Sequence, residues 1–185
     1  CPITFDRRDH PLVSALVLDP IIDGFHLTQV LMDGDSSLNL LYQDTVHKMG
    51  IDPSRIKPTK TTFKGVILGV EAHCTGSVTL EVVFGSRDNF RSEELIFDIV
   101  PFRSGYHPLF GQTAFARFNV VPHYAYLKLK MPGPQGVITV NGNTERSLHT
   151  EEHTAALAAE AQSSLSRQST SSAFSRPGAL GVIDN

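Results

Sequence analysis

The sequence predicts an all-β domain, a barrel or sandwich of short strands carrying one or two short helices. Three observations predict it. Runs rich in Val, Ile, Leu and Phe recur along most of the chain. Turn-forming residues cluster between them, with 14 glycines and 11 prolines among 185 residues, as short strands joined by turns require. Two of the runs are separated by Asp23-Gly24. An Asp-Gly pair between apolar runs is a strong hairpin signal, because both central positions of a type I′ turn need positive φ.

Residues 1–12 are largely polar and lack periodicity, which reads as an extended lead-in. Val13 to Ile22 and Phe25 to Met32 form the two arms of the Asp23-Gly24 hairpin, and the second arm breaks at Asp33-Gly34-Asp35-Ser36-Ser37. Leu38 to Met49 places apolar residues at 38, 41, 42, 46 and 49, a spacing that predicts an amphipathic helix stopped by Gly50. Strands are expected over Phe63 to Val70, Gly76 to Phe84 and Leu95 to Phe102. Leu109-Phe110-Gly111 ends another strand, and Thr113 to Phe118 makes a helical turn or two. Tyr124 to Met131 reads as a strand that turns at Pro132–Gly136 into Val137 to Val140. The domain therefore spans 13–142. Beyond it the composition shifts to Ala, Ser, Glu and Gln, so 143–185 reads as a tail or linker with a possible helix over 150–165.

A chain that is 41% hydrophobic and 19% charged has the composition of a globular protein. Its formal charge of -3 supplies no drive toward polyanions, so direct nucleic-acid binding is not expected. No apolar run reaches the roughly 18 residues that span a bilayer, and no signal-peptide pattern opens the chain. An intracellular, cytoplasmic protein without a membrane partner is expected. Cys1 and Cys74 cannot build a disulfide framework. A first residue that is Cys rather than Met predicts a fragment excised from a longer polypeptide.

The chemistry centres on Val30-Leu31-Met32 running into Asp33-Gly34-Asp35-Ser36-Ser37. That pattern sets a carboxylate at the end of a buried strand, on a tight loop whose backbone N–H groups point at it. Taken by itself, Asp-Gly followed by serines is also an ordinary turn or a helix N-cap. His149 and His153 lack a third ligand nearby, and His73 and Cys74 are adjacent on a strand and face opposite ways, so neither a metal nor a Cys/His nucleophile is expected.

The ordered set of features is more specific than the loop alone. Ile3-Thr4-Phe5-Asp6, the Asp33 loop, Met49-Gly50-Ile51, Phe63-Lys64-Gly65-Val66, Tyr106-His107-Pro108-Leu109-Phe110-Gly111, Tyr126 to Pro134 and Gly136 to Val140 follow one another along residues 3–142. Together they resemble the retropepsin-like aspartic protease domain of plant gypsy-type LTR retrotransposon gag-pol polyproteins. The resemblance implies a single-lobe acid-protease barrel acting as a homodimer, with Asp33 of each chain catalytic. Two such carboxylates share a proton, because like charges about 3 Å apart do not both ionise. One acts as general base on a water while the other protonates the scissile carbonyl. No cofactor is implied.

By the same resemblance, Gly34, Asp35 and Ser36 support the loop, and the Ser36 hydroxyl bonds the carboxylate. Phe63, Gly65, Val66 and Gly69 belong to a flap that closes over the substrate, and Leu109, Phe110 and Gly111 pack beneath the loop. The implied partners are a second copy of the chain and peptide segments of its own polyprotein, within a virus-like particle if the element is active.

The sequence also departs from that pattern. Asp35 stands where the family carries glycine, which predicts loop strain of ~1 to 3 kcal/mol and an added negative charge beside Asp33. Gly34 lacks the Ser or Thr hydroxyl that braces the two loops, and Phe110 and Gln112 differ from the usual residues. Two readings follow: an active polyprotein-processing endopeptidase, and a catalytically inactive module that dimerises or binds peptide. An unrelated β-sandwich binding domain is a third.

Overall fold

Apolar runs broken by Pro, Gly and Asp give short strands rather than long ones. The computed structural model describes residues 16–64, 71–101 and 104–147. The lead-in over 1–12, the possible helix over 150–165 and the flap residues Gly65, Val66 and Gly69 lie outside them. In chain order the elements are β1 (Leu16–Leu18), β2 (Ile21–Ile22), β3 (Phe25–His26), β4 (Val30–Met32), β5 (Leu40–Tyr42) and α1 (Gln43–Met49). They continue with β6 (Thr62–Lys64), β7 (Glu71–His73), β8 (Gly76–Gly85), β9 (Phe90–Val100) and β10 (Pro108–Phe110). The last are α2 (Gln112–Phe118), β11 (Val121–His123), β12 (Lys128–Gly133) and β13 (Gly136–Asn141).

The main sheet has eight strands in the order β1-β4-β10-β5-β9-β8-β2-β3. Only Asp19 and Pro20 separate β1 from β2, yet the two lie near opposite ends of that order, so the sheet curls into a half-barrel. The Asp23-Gly24 hairpin joins β2 to β3 as expected, with φ of 51° and 80° at its central residues. Each expected arm is nevertheless two strands. Pro20 has no N–H for a ladder, and Gln29 takes a φ of 64°, which turns the chain between β3 and β4.

Strict alternation along β8 turns Val78, Leu80, Val82 and Phe84 into the core against Leu95, Phe97 and Ile99 of β9. Phe84 meets Phe110 and Phe118 edge to face, with centroids 6.1 and 5.1 Å apart. Each such side chain stabilises the fold by roughly 1.5 to 3 kcal/mol on burial.

Two expectations need correction. The helix expected from Leu38 begins only at Gln43, because Leu40 to Tyr42 form β5 between β10 and β9. Leu40 and Leu41 are both fully buried, and a strand covered on both faces reads as a continuous apolar run with no distinguishing period. Gly50 does stop α1, at a φ of 62°. The strand expected from Tyr124 starts at Lys128, after a 3-10 turn over Tyr124–Tyr126 and a left-handed Leu127.

A second sheet, β11-β12-β13, and a hairpin of β6 with β7 complete the described strands. Residues 143–147 continue back along β1, where Asn143 donates to the Val17 carbonyl at 2.8 Å and the Val17 N–H reaches the buried Ser147 hydroxyl at 3.3 Å.

Candidate active site

Three backbone segments meet beneath Asp33. Strand β10 lies between β4 and β5, parallel to the first and antiparallel to the second, so the loop from Asp33 to Asn39 must arch over its end. The arch is stitched down along its length. Asp33 N–H donates to the Phe110 carbonyl at 2.8 Å, Gln112 N–H to the Ser36 carbonyl at 2.8 Å, and Gly111 N–H to Asn39 Oδ1 at 2.9 Å. Phe110 is fully buried in the main core, and Leu109 faces a second apolar cluster with Leu40, Cys74 and Val100. A β-carbon at residue 111 would lie 2.3 Å from the Leu38 carbonyl oxygen and 2.5 Å from that of Ser36, so the crossing admits only glycine.

Asp33 leaves the end of β4 with its side chain half-buried, and its Oδ1 accepts the Asp35 N–H at 3.0 Å. The Ser36 hydroxyl does not bond this carboxylate. It donates to the Leu38 carbonyl at 2.8 Å and accepts the Leu38 N–H at 3.3 Å, closing a local turn instead. Asp35 is exposed, and its backbone is not among the residues with positive φ. The expected loop strain is therefore absent, because an aspartate adopts this conformation as readily as a glycine. Its charge stays at the mouth of the site.

A cleft of about 420 Å³ opens over this loop, lined by Met32, Asp33, Gly34, Asp35, Phe115, Pro122 and Tyr124. Burial holds the Tyr124 phenol above its ordinary pKa; the Gly34 backbone N–H opposes that shift, while the charges of Asp33 and Asp35 add to it. Burial likewise raises Tyr42, against a hydrogen bond from Ser104, with Tyr106, Asp33 and Asp44 contributing. From the opposite side of the loop, Gln112 Nε2 donates to the Gly34 carbonyl at 3.0 Å.

Alternation along β4 buries Val30 and Met32 in the main core and turns Leu31 toward the second cluster. That cluster also takes in Leu38 and Tyr42, and Cys74 follows directly on β7. Within the stretch expected as a flap, β6 and β7 pair antiparallel, with Phe63 opposite Ala72. Among the described residues, no group of three or more His, Cys, Asp or Glu side chains is gathered to hold a metal ion. No helix among them is long and apolar enough to cross a membrane.

Sequence reasoning missed Asn39, Tyr124 and the reach of Gln112. One signal for Asn39 existed: a lone amide in the apolar run Leu38 to Leu41 must find partners when buried. The Asn39 amide donates to the Ile96 carbonyl at 3.1 Å as well as accepting from Gly111. Nothing local marked Tyr124.

No family model matches the chain, and no curated protein matches it. Among solved structures, the crystal structure of the retroviral protease-like domain of Ddi1 from Leishmania major superposes with a TM-score of 0.53 at 12% identity, covering 72% of this chain and 99% of that one. A retropepsin-like aspartic protease from Rickettsia conorii gives a TM-score of 0.47 at 16% identity, over 68% of this chain and 83% of that one. The first likeness shows the fold. The fold is retropepsin-like: mostly β, built on one curled half-barrel sheet with a few short helices.

Proposed function

We propose that the chain is an aspartic endopeptidase of a gypsy-type retrotransposon polyprotein, active when two copies pair and each contributes Asp33. The observation that carries this reading is the Asp33 carboxylate, half-buried above the β10 crossing with its Oδ1 held by the Asp35 N–H. Paired across a two-fold axis, the two carboxylates would share one proton. One takes a proton from the attacking water and the other gives a proton to the carbonyl oxygen, so a tetrahedral diol forms; the first then gives its proton to the leaving nitrogen as the second takes one from a diol hydroxyl, the C–N bond breaks, and the two peptides are released with the starting protonation restored.

One observation favours the inactive alternative: the Asp35 side chain places a further carboxylate on the same cleft as Asp33. Incubating the purified chain with a peptide from the gag region of its polyprotein between about pH 4 and pH 7 separates the two readings. Cleavage that Asp33→Asn abolishes supports the endopeptidase. Absence of cleavage throughout that range supports the inactive module.

A further inference from the structure

Gly34 sits between two peptide planes that both bear on Asp33. The plane before it carries the Asp33 carbonyl and the Gly34 N–H. The plane after it carries the Gly34 carbonyl and the Asp35 N–H, and that N–H is the one bonded to Asp33 Oδ1 at 3.0 Å. Glycine resists rotation of these planes less than any other residue, so the aim of the Asp35 N–H must be set from outside.

Two side chains from the segment after β10 are placed to set it. Gln112 Nε2 holds the Gly34 carbonyl at 3.0 Å. A trans peptide is planar, with its C=O and N–H pointing in opposite directions, so fixing that oxygen also directs the Asp35 N–H toward the carboxylate. On the other side of the residue, the Tyr124 hydroxyl comes up beside Gly34. A β-carbon at residue 34 would lie 3.3 Å from the Tyr124 Oη and 3.4 Å from Phe115 Cε2, so the phenol comes this close because no side chain is there. Tyr124 is itself held by a 3-10 turn in which His123 Nδ1 accepts the Tyr126 N–H at 3.2 Å, and by packing against the main core.

We propose that Gln112 and Tyr124 clamp the Gly34 peptides from both sides and are positioning residues for the Asp33 carboxylate. The proposal rests on the endopeptidase reading for its catalytic consequence, but the clamp itself is measurable without catalysis. Within one chain, it does the orienting that the loop's own residues leave undone.

The test uses Tyr124→Phe and Gln112→Leu, each read by amide hydrogen exchange and by peptide cleavage. Tyr124→Phe is expected to speed exchange of the Gly34 amide, and Gln112→Leu that of the Asp35 amide, while core amides of β8 and β9 stay unchanged. Each variant is expected to lower kcat about tenfold with KM within about twofold, as loss of one orienting contact would. Gln112→Glu, which keeps the shape but sets an acceptor against the Gly34 carbonyl, is expected to behave like the Leu variant and covers the case in which Leu disturbs folding.

Unchanged exchange at both amides would overturn the clamp. Faster exchange with unchanged kcat would overturn the positioning role. If the unaltered chain cleaves nothing, the endopeptidase reading falls, and the exchange data alone decide whether the clamp stands.

Discussion

Gly111 passes so close beneath Leu38 that a β-carbon on it would stand 2.3 Å from the Leu38 carbonyl oxygen. Both partners are backbone, and the Gly111 N–H is already committed to Asn39, so neither side yields without opening the crossing. Gly111→Ala is expected to destabilise the fold by at least about 3 kcal/mol. A urea-denaturation midpoint within error of the unaltered chain would show that the crossing is not built as described.

Asn39 joins β9 to the turn after β10 through a single buried amide, donating to the Ile96 carbonyl and accepting from the Gly111 N–H. Asn39→Ala leaves a buried acceptor and a buried donor unpaired, at an expected cost of about 2 to 4 kcal/mol. Asn39→Asp keeps only the acceptor and is expected to lose part of that stability at neutral pH. Thermal unfolding of the two variants checks both the size and the order of these effects.

Asp35 is exposed and outside the left-handed region, so no stored strain waits to be released there. Asp35→Gly is accordingly expected to lower stability by about 0.5 to 1 kcal/mol, the entropic cost of an added glycine, and not to raise it. Denaturation that showed a gain of 1 kcal/mol or more would restore the strained loop. If the variant alters peptide cleavage, the cause is then the lost charge, and Asp35→Asn reproduces the effect.

Acid stability has a local source in the hairpin turn. Arg55 donates to both Asp23 oxygens, at 2.7 and 3.0 Å, and these bonds hold the Asp23 carboxyl below its ordinary pKa, against a smaller opposing effect of burial and with the Arg55 charge adding. The folded-state pKa is depressed, so the contribution is present above the unfolded value and lost as the pH falls through the folded one. Below about pH 4 the unaltered chain is therefore expected to lose stability that Arg55→Ala never had, and the two acid limbs converge. Both side chains are partly exposed, so solvent screening keeps the neutral-pH difference under about 1 kcal/mol. Denaturation curves from pH 2 to 7, read at low and high salt, check it.

Much of the architecture was legible because it is written in local chemistry. Asp23-Gly24 carried its turn, Gly50 its helix stop, and the alternation from Gly76 to Phe84 its strand. The misreadings arose where locality fails. Leu40 to Tyr42 is a central strand whose coverage on both faces erased the alternation that identifies strands. Tyr124 to Leu127 became a turn because a left-handed Leu127, held by its surroundings, interrupts an otherwise strand-like run. At the candidate site, Asp33 and the Leu109-Phe110-Gly111 element could be singled out from residue type and order. The direction of the Ser36 hydroxyl could not, because its own turn competes with the carboxylate for the same hydrogen.

By itself the sequence determined the Asp23-Gly24 turn, the helix stop at Gly50, the strand over 76–84, and that an aspartate closes a buried strand; these follow from side-chain periodicity and from backbone preferences acting over a few residues. Only the tertiary structure decided what surrounds that aspartate. Asn39 and Gly111 are 72 positions apart, and Gly34 and Gln112 are 78 apart. Such pairs leave no periodic trace, because they meet only when β10 slides between two strands formed far earlier in the chain.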